Sequence, residues 1–248
     1  PFKNAYERSK AESEAMVRSM QDRIPLCIFR PSVVVGDSIT GETSAFNVIY
    51  IPAKLFVKGV FRLLPGSPNV PFDLVPVDYA ADAIVYLSLQ APSTGSCYYI
   101  SAGVGREPSL WEIIETLIST FNNHRKLGRS LLALPQRLPE EILSLAQSSL
   151  SHAIKAIESM VTDRINVFRQ TAPFIPYMFS NPQFDDALTR RALLNSGIAE
   201  APLFQTYAER LFQYCLDTNW GKNPWTNPRN FLLWHQRVSQ SPLANIGS

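Results

Sequence analysis

The stretch from residue 24 to residue 36, IPLCIFRPSVVVG, decides the fold. Its two short runs, LCIF and SVVV, are apolar or β-branched and are bounded by Pro25, Pro31 and Gly36. Short apolar runs framed by turn residues are typical of a strand buried in a parallel sheet. The preceding run AESEAMVRSM, residues 11–20, favours a helix. Helix followed by buried strand predicts an α/β protein with a parallel sheet.

The same alternation continues towards residue 126. The spacing predicts a helical, pocket-forming segment at 45–66, a strand and an amphipathic helix within 72–90, a strand at 96–101 and a helix at 109–123. Asp78 is the expected N-cap of the second of these helices. Ser109 with Glu112 three residues later has the spacing of a capping box.

Beyond residue 126 the strand signals stop. Residues 127–138, 139–161, 184–197 and 202–221 all show helical periodicity, and Gly197 and Gly221 are C-cap candidates. We therefore expect two regions, an α/β part at 1–126 and a helical part at 127–248. The Pro- and Asn-rich tail is expected to be irregular.

Composition narrows the class of function. The chain has 248 residues, 46% hydrophobic and 18% charged, with a net charge of +2. This describes an ordered globular protein and argues against a nucleic-acid partner. No apolar run reaches the roughly 18 residues of a membrane span, and no signal peptide is visible. Cys27, Cys97 and Cys215 lie too far apart for a zinc site or a disulfide framework, which favours a reducing cytoplasm and no metal.

Ahead of the deciding strand, Tyr6 and Lys10 lie four residues apart in PFKNAYERSK, residues 1–10. Positions i and i+4 share one face of a helix, so the Lys10 ammonium is expected beside the Tyr6 phenol. A fixed neighbouring cation favours the ionised form of a phenol and helps it to exchange protons. The pair is a candidate general acid or base, and the spacing alone equally fits an ordinary half-buried helix tyrosine.

Three motifs in the right order carry a family resemblance. They are Asn4-x-Tyr6-x-x-x-Lys10, the strand end Arg30-Pro31, and VPVDYAADA at residues 75–83. Together they resemble an extended short-chain dehydrogenase/reductase. Residues 30–47, RPSVVVGDSITGETSAFN, are similar to the branch with fatty acyl-CoA reductases, the male-sterility group, and thioester-reductase-like enzymes of polyketide and lipid pathways.

The resemblance implies a fold, a cofactor and a set of site residues. The fold is the C-terminal portion of a Rossmann-type parallel sheet, followed by a mainly helical substrate-binding region. Tyr6 protonates or hydrogen-bonds the substrate oxygen and also belongs to the cofactor-binding residues, while Lys10 tunes Tyr6 and holds the nicotinamide ribose. Pro31, Ser32, Val33 and Val34 line the nicotinamide side of the pocket, or form a plain buried strand end. The expected cofactor is NADPH, with NADH as the alternative.

One departure from the family pattern concerns the nucleotide-binding turn. Such enzymes carry a glycine-rich turn that cradles the pyrophosphate. Gly103-x-Gly105 is the nearest candidate, but it lacks the third glycine and follows the catalytic motif. The catalytic Ser or Thr that normally precedes the tyrosine is missing too. The sequence is therefore interpreted as the C-terminal part of a longer enzyme, inactive by itself, whose partner is the missing N-terminal half.

The substrate class follows from the resemblance and from apolar segments. The leading hypothesis is a reductase of acyl thioesters, acyl-CoA or carrier-bound, that gives an aldehyde or alcohol. The apolar residues 46–64 and 131–161 are either an acyl slot or core. A sugar-nucleotide epimerase or dehydratase, a sterol-type dehydrogenase, and a cofactor-free interaction module stay open as alternatives, as does the oligomeric state.

Several other polar residues receive structural interpretations. Arg30 is either an ion-pair partner or part of the site. His124, His152 and His235 are isolated and are expected at surface or capping positions. No serine has the spaced histidine and acid of a nucleophilic triad.

Overall fold

The computed structural model describes residues 2, 4–58, 68–90, 95–124, 177 and 181–223. The elements are, in chain order, α1 (Ala5–Arg18), β1 (Ile28–Pro31), β2 (Val33–Val35), α2 (Tyr50–Val57), β3 (Leu74–Pro76), α3 (Val77–Ser88), β4 (Cys97–Ile100), α4 (Leu110–Asn123), α5 (Ala187–Leu193) and α6 (Phe204–Asp217).

The deciding stretch forms β1 and β2, which meet at Ser32. β1 pairs in parallel with β4, with Ile28 opposite Cys97, and β2 pairs in parallel with β3, with Val33 opposite Leu74. One extended run of chain thus joins two parallel ladders. The predicted α/β fold with a parallel sheet is confirmed.

The predicted capping box at the start of α4 is also confirmed. The Ser109 side chain accepts a hydrogen bond from the Glu112 backbone N–H at 3.2 Å, and the Glu112 carboxylate accepts one from the Ser109 backbone N–H at 2.7 Å. These bonds satisfy two of the donors that a helix start leaves without an intrahelical partner.

The prediction for Asp78 is wrong. Helix α3 follows β3 directly, with the extended Pro76 at the N-cap, so Asp78 lies inside the first turn. Its carboxylate accepts hydrogen bonds from the Ser38 backbone N–H at 2.9 Å and from the Ser38 hydroxyl at 2.6 Å. The Asp78 carboxylate therefore holds the loop after β2. Its hydrogen-bond donor is Ser38, 40 residues earlier in the chain, and not a backbone N–H of its own helix as a cap would require.

The predicted glycine C-caps are wrong as well. Helix α5 ends at Leu193 and α6 at Asp217, and in each case the left-handed residue just beyond the end is an asparagine, Asn195 with φ 66° and Asn219 with φ 49°. At the end of α6, the Trp220 N–H bonds to the Cys215 carbonyl at 2.7 Å and the Asn219 N–H to the Leu216 carbonyl at 3.2 Å. This pair of bonds is the Schellman motif, which asparagine supports because it tolerates positive φ.

The main core lies between α2, α4, α6 and the β2–β3 ladder. Its fully buried side chains include Phe121 on α4 and Phe204, Leu211 and Phe212 on α6. A second cluster, with Val75, Ala83, Leu87 and Ile100 at its centre, joins α3, β4 and α5.

Helix α6 also holds the loop after β2. The Arg210 guanidinium donates to the Ser38 carbonyl at 2.9 Å. Gly41, with φ 75°, faces the Arg210 backbone so closely that a Cβ there would overlap it. The described end of the helical half thus packs directly on the α/β part. Most of the segment between the two parts, 125–176, lies outside the described residues, as do the helices predicted at 127–138 and 139–161, so the boundary at 126/127 stays a prediction.

Candidate active site

The N-terminus of α1 is set by Asn4. Asn4 is extended, with φ −156° and ψ 174°, and its side-chain oxygen accepts a hydrogen bond from the Glu7 backbone N–H at 2.9 Å. Asparagine is among the strongest N-caps because its side chain satisfies a first-turn donor. The cap places Tyr6 at the second position of the helix.

Tyr6 and Lys10 lie side by side, as the helical spacing predicts. The Lys10 ammonium is 5.7 Å from the centre of the Tyr6 ring, within the range of a cation–π contact. Tyr6 is 67% exposed, and among the described residues its phenol has no hydrogen-bond partner. The side chain is therefore accessible to a ligand, and its catalytic role stays a prediction.

Glu14 extends this arrangement towards the sheet. It lies four residues after Lys10, so Tyr6, Lys10 and Glu14 share one face of α1. The Arg30 guanidinium on β1 donates two hydrogen bonds to the Glu14 carboxylate, at 2.6 and 2.9 Å. Through Glu14, the face that carries Tyr6 and Lys10 is tied to the strand that continues into Pro31.

The same ion pair decides the role of Arg30. Its hydrogen bonds to Glu14 raise the pKa of the Arg30 guanidinium and hold the pKa of the Glu14 carboxyl below its ordinary value. Arg30 also bonds to the Tyr99 hydroxyl and lies 5.2 Å from the centre of that ring. Arg30 is thus the ion-pair partner that was one of its two predicted roles.

The four residues predicted to line the nicotinamide side run across the junction of the two ladders. Pro31 and Val34 are exposed, the latter at 38%, whereas Ser32 and Val33 are half-buried. The backbone N–H of Ser32 bonds to the Ile100 carbonyl at 2.9 Å. The junction therefore lies at the carboxyl end of the β1–β4 ladder, the edge where parallel sheets bind ligands. The cofactor role of these four residues stays a prediction.

Asp73 supports this junction and was missed by sequence reasoning. Its carboxylate is 6% exposed and accepts a hydrogen bond from the Ala102 backbone N–H at 2.8 Å, while its carbonyl accepts one from Val33 at 3.2 Å. Burial raises the pKa of the Asp73 carboxyl. The nearby Ser32 hydroxyl offsets part of that rise in the pKa. The one available signal was a lone acid inside the apolar run FDLV.

The fit of a nicotinamide cofactor differs between its two ends. The exposed Lys10 ammonium suits ribose hydroxyls, and the exposed Pro31 and Val34 offer an apolar surface to a nicotinamide ring. By contrast, the turn at Gly103 faces the Asp186 carboxylate, 3.3 Å from the position a Cβ would take. The Arg106 side chain crowds the same face of Gly103 at 3.2 Å, so this turn lacks the open glycine cradle that a pyrophosphate needs.

His124 has a structural place. It is the buried C-cap of α4, and its Nε2 lies 3.2 Å from the Asp217 carboxylate at the end of α6. The predicted capping position is confirmed for His124, whereas His152 and His235 lie outside the described residues. Within the described part of the chain, no three potential ligands come together as a metal site. All three cysteines are free thiols.

Comparisons with known proteins identify relatives of this chain. Residues 1–84 match the family described as male sterility protein, an NAD-binding domain. A nonribosomal peptide synthetase from Aspergillus campestris is 32% identical over 109 residues, 43% of this chain and 10% of that protein. Fatty acyl-CoA reductase 1 from Xenopus laevis is 30% identical over 132 residues, 49% of this chain and 25% of the reductase.

A solved structure shares the fold. The terminal R domain of the myxalamid PKS-NRPS biosynthetic pathway superposes with a TM-score of 0.58 at 22% identity, covering 85% of this chain and 49% of that one. This likeness supports the α/β fold with parallel strands.

Residues 1–84 therefore carry the NAD-binding domain of the male-sterility family, and the relatives that the chain matches include fatty acyl-CoA reductases. The chain spans 10% to 27% of the length of the curated relatives it matches. None of the described helices is long and apolar enough to cross a bilayer.

Proposed function

We propose that this chain supplies the catalytic tyrosine and lysine of a nicotinamide-dependent reductase of acyl thioesters, which gives an aldehyde or alcohol. The observation that carries the proposal is the face of α1, where an accessible Tyr6 phenol lies beside the Lys10 ammonium. The Glu14–Arg30 pair ties that face to the strand that continues into Pro31. Relatives named fatty acyl-CoA reductase support the thioester as substrate class.

In this mechanism Tyr6 acts as the general acid. A bound nicotinamide cofactor supplies the hydride that reduces the thioester carbonyl carbon. Tyr6 donates its phenolic proton to the carbonyl oxygen as negative charge develops there, which yields a hemithioacetal. Loss of the thiol, with a proton returned to sulfur, leaves the aldehyde. Lys10 stabilises the phenolate on Tyr6 until a solvent proton restores the phenol.

We propose that the cofactor binds along the exposed face of α1 and the adjoining strand junction at residues 31–34. Lys10 binds the nicotinamide ribose, and Pro31, Ser32, Val33 and Val34 line the nicotinamide side. We propose NADPH as the cofactor, with NADH as the alternative. The three free thiols support a reducing compartment, which we take to be the cytoplasm.

The pyrophosphate end of the cofactor requires a partner. Among the described strands, β1 has the single parallel neighbour β4. The outer side of α1 exposes Met16 at 70% and Val17 at 44%, and no residue of this helix is fully buried. We propose that a glycine-rich nucleotide-binding half completes the sheet beside β1 and covers α1.

The described residues give less support to the predicted acyl-binding slot than to the proposed catalytic pair. Within the predicted acyl slot at 46–64, the described residues Tyr50, Ala53, Phe56 and Val57 are buried in the main core. Residues 59–64 and 131–161 lie outside the described residues. The proposal of an acyl thioester substrate therefore rests on the relatives named fatty acyl-CoA reductase and on the Tyr6–Lys10 pair of α1.

Chain-length dependence tests the substrate class. Each methylene buried in an acyl slot contributes about 0.8 kcal/mol, or roughly a three- to fourfold gain in catalytic efficiency. We expect the complete protein to oxidise NADPH with acyl-CoA or acyl-carrier thioesters and to gain by that factor per methylene over a limited range. UDP- and GDP-sugars are the competing panel.

Two outcomes contradict the proposal in different ways. Turnover of a nucleotide sugar with a flat response to acyl length favours the epimerase or dehydratase alternative. Absence of cofactor binding by the complete protein favours the interaction module.

A further inference from the structure

A residue from the second half of the chain contacts the N-terminus of α1. Tyr177 lies 170 residues beyond Glu7, and its hydroxyl donates a hydrogen bond to the Glu7 carboxylate at 2.7 Å. The same hydroxyl accepts a hydrogen bond from the Asn4 side-chain amide at 3.1 Å. These two partners flank Tyr6 in sequence, so one phenol oxygen fixes the helix turn that carries the candidate general acid.

The contact with Asn4 also determines how α1 begins. The Asn4 side chain uses both of its ends, the oxygen for the Glu7 backbone N–H and the amide nitrogen for Tyr177. An asparagine amide can rotate to exchange its oxygen and nitrogen. Because the nitrogen is held by Tyr177, the oxygen is kept on the first-turn donor.

Electrostatics keep Tyr177 in the form this network needs. Burial and the hydrogen bond to Glu7 raise the pKa of Tyr177 to about 12. The phenol therefore stays protonated near neutral pH and continues to donate to Glu7. A phenol so held is a poor proton source for a substrate, which separates its role from that of Tyr6.

We propose that Tyr177 is a positioning residue that orients the catalytic turn of α1, and so couples the second half of the chain to the site. The inference rests on the proposed function in one respect, namely that Tyr6 acts on the substrate. Tyr177 acts through Asn4 and Glu7, on either side of Tyr6, rather than on the substrate itself.

The test is the variant Tyr177→Phe in the complete protein, assayed with NADPH and an acyl-CoA. We expect kcat to fall about tenfold while KM for both substrates changes less than twofold, because orientation of the acid matters mainly in the transition state. The Glu7 amide at the first turn of α1 is expected to exchange its hydrogen faster.

Two further variants separate positioning from general stability. Tyr207→Phe removes the same atom from a buried phenol that donates to the Leu74 carbonyl at 3.3 Å, and it should lower thermal stability without lowering kcat. Asn4→Ser keeps a good N-cap but lacks the amide donor. It should reproduce the loss seen in Tyr177→Phe, and the double variant should show little additional loss because both changes break one network.

The outcomes distinguish this inference from the proposed function. If Tyr6→Phe abolishes turnover but Tyr177→Phe leaves kcat and Glu7 exchange unchanged, the positioning role is wrong and the reductase proposal stands. If Tyr6→Phe has no effect on turnover, the proposed function itself fails. Additive losses in the Asn4→Ser, Tyr177→Phe double variant also overturn the shared network.

Discussion

Helices α1 and α4 have the same length, but α4 is packed in the core and α1 lies at the surface. Each has 14 residues and a side-chain N-cap, Asn4 for α1 and Ser109 for α4. Helix α4 buries six residues, five of them in the main core, including Leu117 and Phe121, whereas α1 fully buries none. Similar local signals thus form two helices, and only packing determines that α4 stabilises the core while α1 leaves its side chains exposed.

The largest effect is expected at the exposed helix, from Tyr6→Phe. Loss of the transferable proton should lower kcat by about 10²–10⁴-fold, the usual contribution of a general acid. Stability and cofactor affinity should hardly change, because the Tyr6 side chain is 67% exposed. Lys10→Met is the informative companion, since it should weaken cofactor binding as well as turnover. Steady-state kinetics with direct cofactor titration measure both, and unaltered turnover in Tyr6→Phe removes this residue from the mechanism.

The buried helix should respond in the opposite way to Phe121→Ala. Phe121 is 0% exposed in the main core. Truncation of a buried phenylalanine costs about 3–5 kcal/mol of unfolding free energy, because transfer energy is lost and a cavity remains. Denaturant unfolding measures the loss, and activity per folded molecule should be kept. A cost below about 1 kcal/mol would mean that α4 is not central to the core.

A smaller effect is expected from the cap of α4. Ser109→Ala removes the acceptor of the Glu112 backbone N–H and should cost about 1 kcal/mol in thermal or denaturant unfolding. Ser88→Ala is the matched control, because the only partner of this exposed hydroxyl among the described residues is the Val85 carbonyl within its own helix. Equal costs for the two variants would show that the capping box adds no stability.

The smallest effect concerns the ion pair that ties α1 to β1. Hydrogen bonds from Arg30 hold the pKa of the Glu14 carboxyl in the folded protein below its ordinary value of 4.5. The ion pair therefore stabilises the fold fully above pH 4.5, and this contribution is lost as the pH falls through the lowered pKa of the folded state. Because the pair is partly exposed, we expect about 1 kcal/mol or less. The stability difference between the wild type and Glu14→Gln should therefore shrink between pH 6 and pH 3. A difference that does not vary with pH contradicts a charged pair.

Local pattern was sufficient for several features of fold and site. The short apolar runs at 26–29 and 32–35 predicted the strands, because a strand buried in a parallel sheet is a short, continuous run of apolar residues between turn residues. Ser109 and Glu112 identified a helix start because the capping box closes within four residues. The Tyr6–Lys10 pair was visible for the same reason, since one helical turn brings the two side chains together.

Other features depended on partners that are distant in sequence. The spacing favoured Asp78 as a cap, yet its carboxylate binds Ser38, which lies in the loop after β2. Gly197 and Gly221 were expected as helix C-caps, but Asn195 and Asn219 are the first left-handed residues beyond α5 and α6, and the two glycines adopt positive φ two residues later. Asp73 gave almost no signal, because its contact with Ala102 exists only once the two ladders have formed.

The sequence by itself determined the alternation of helices and strands and the helix that carries Tyr6 and Lys10, because the residue pattern of one turn or one strand is enough to predict them. It also determined the family resemblance, because the motifs that carry it are short. Only the tertiary structure determined that Glu14 forms an ion pair with Arg30, that α6 packs in the main core, and that Tyr177 hydrogen-bonds to Asn4 and Glu7. The physical reason is range. A hydrogen bond between residues 170 positions apart leaves no periodic trace in the chain, because folding alone brings its donor and acceptor together.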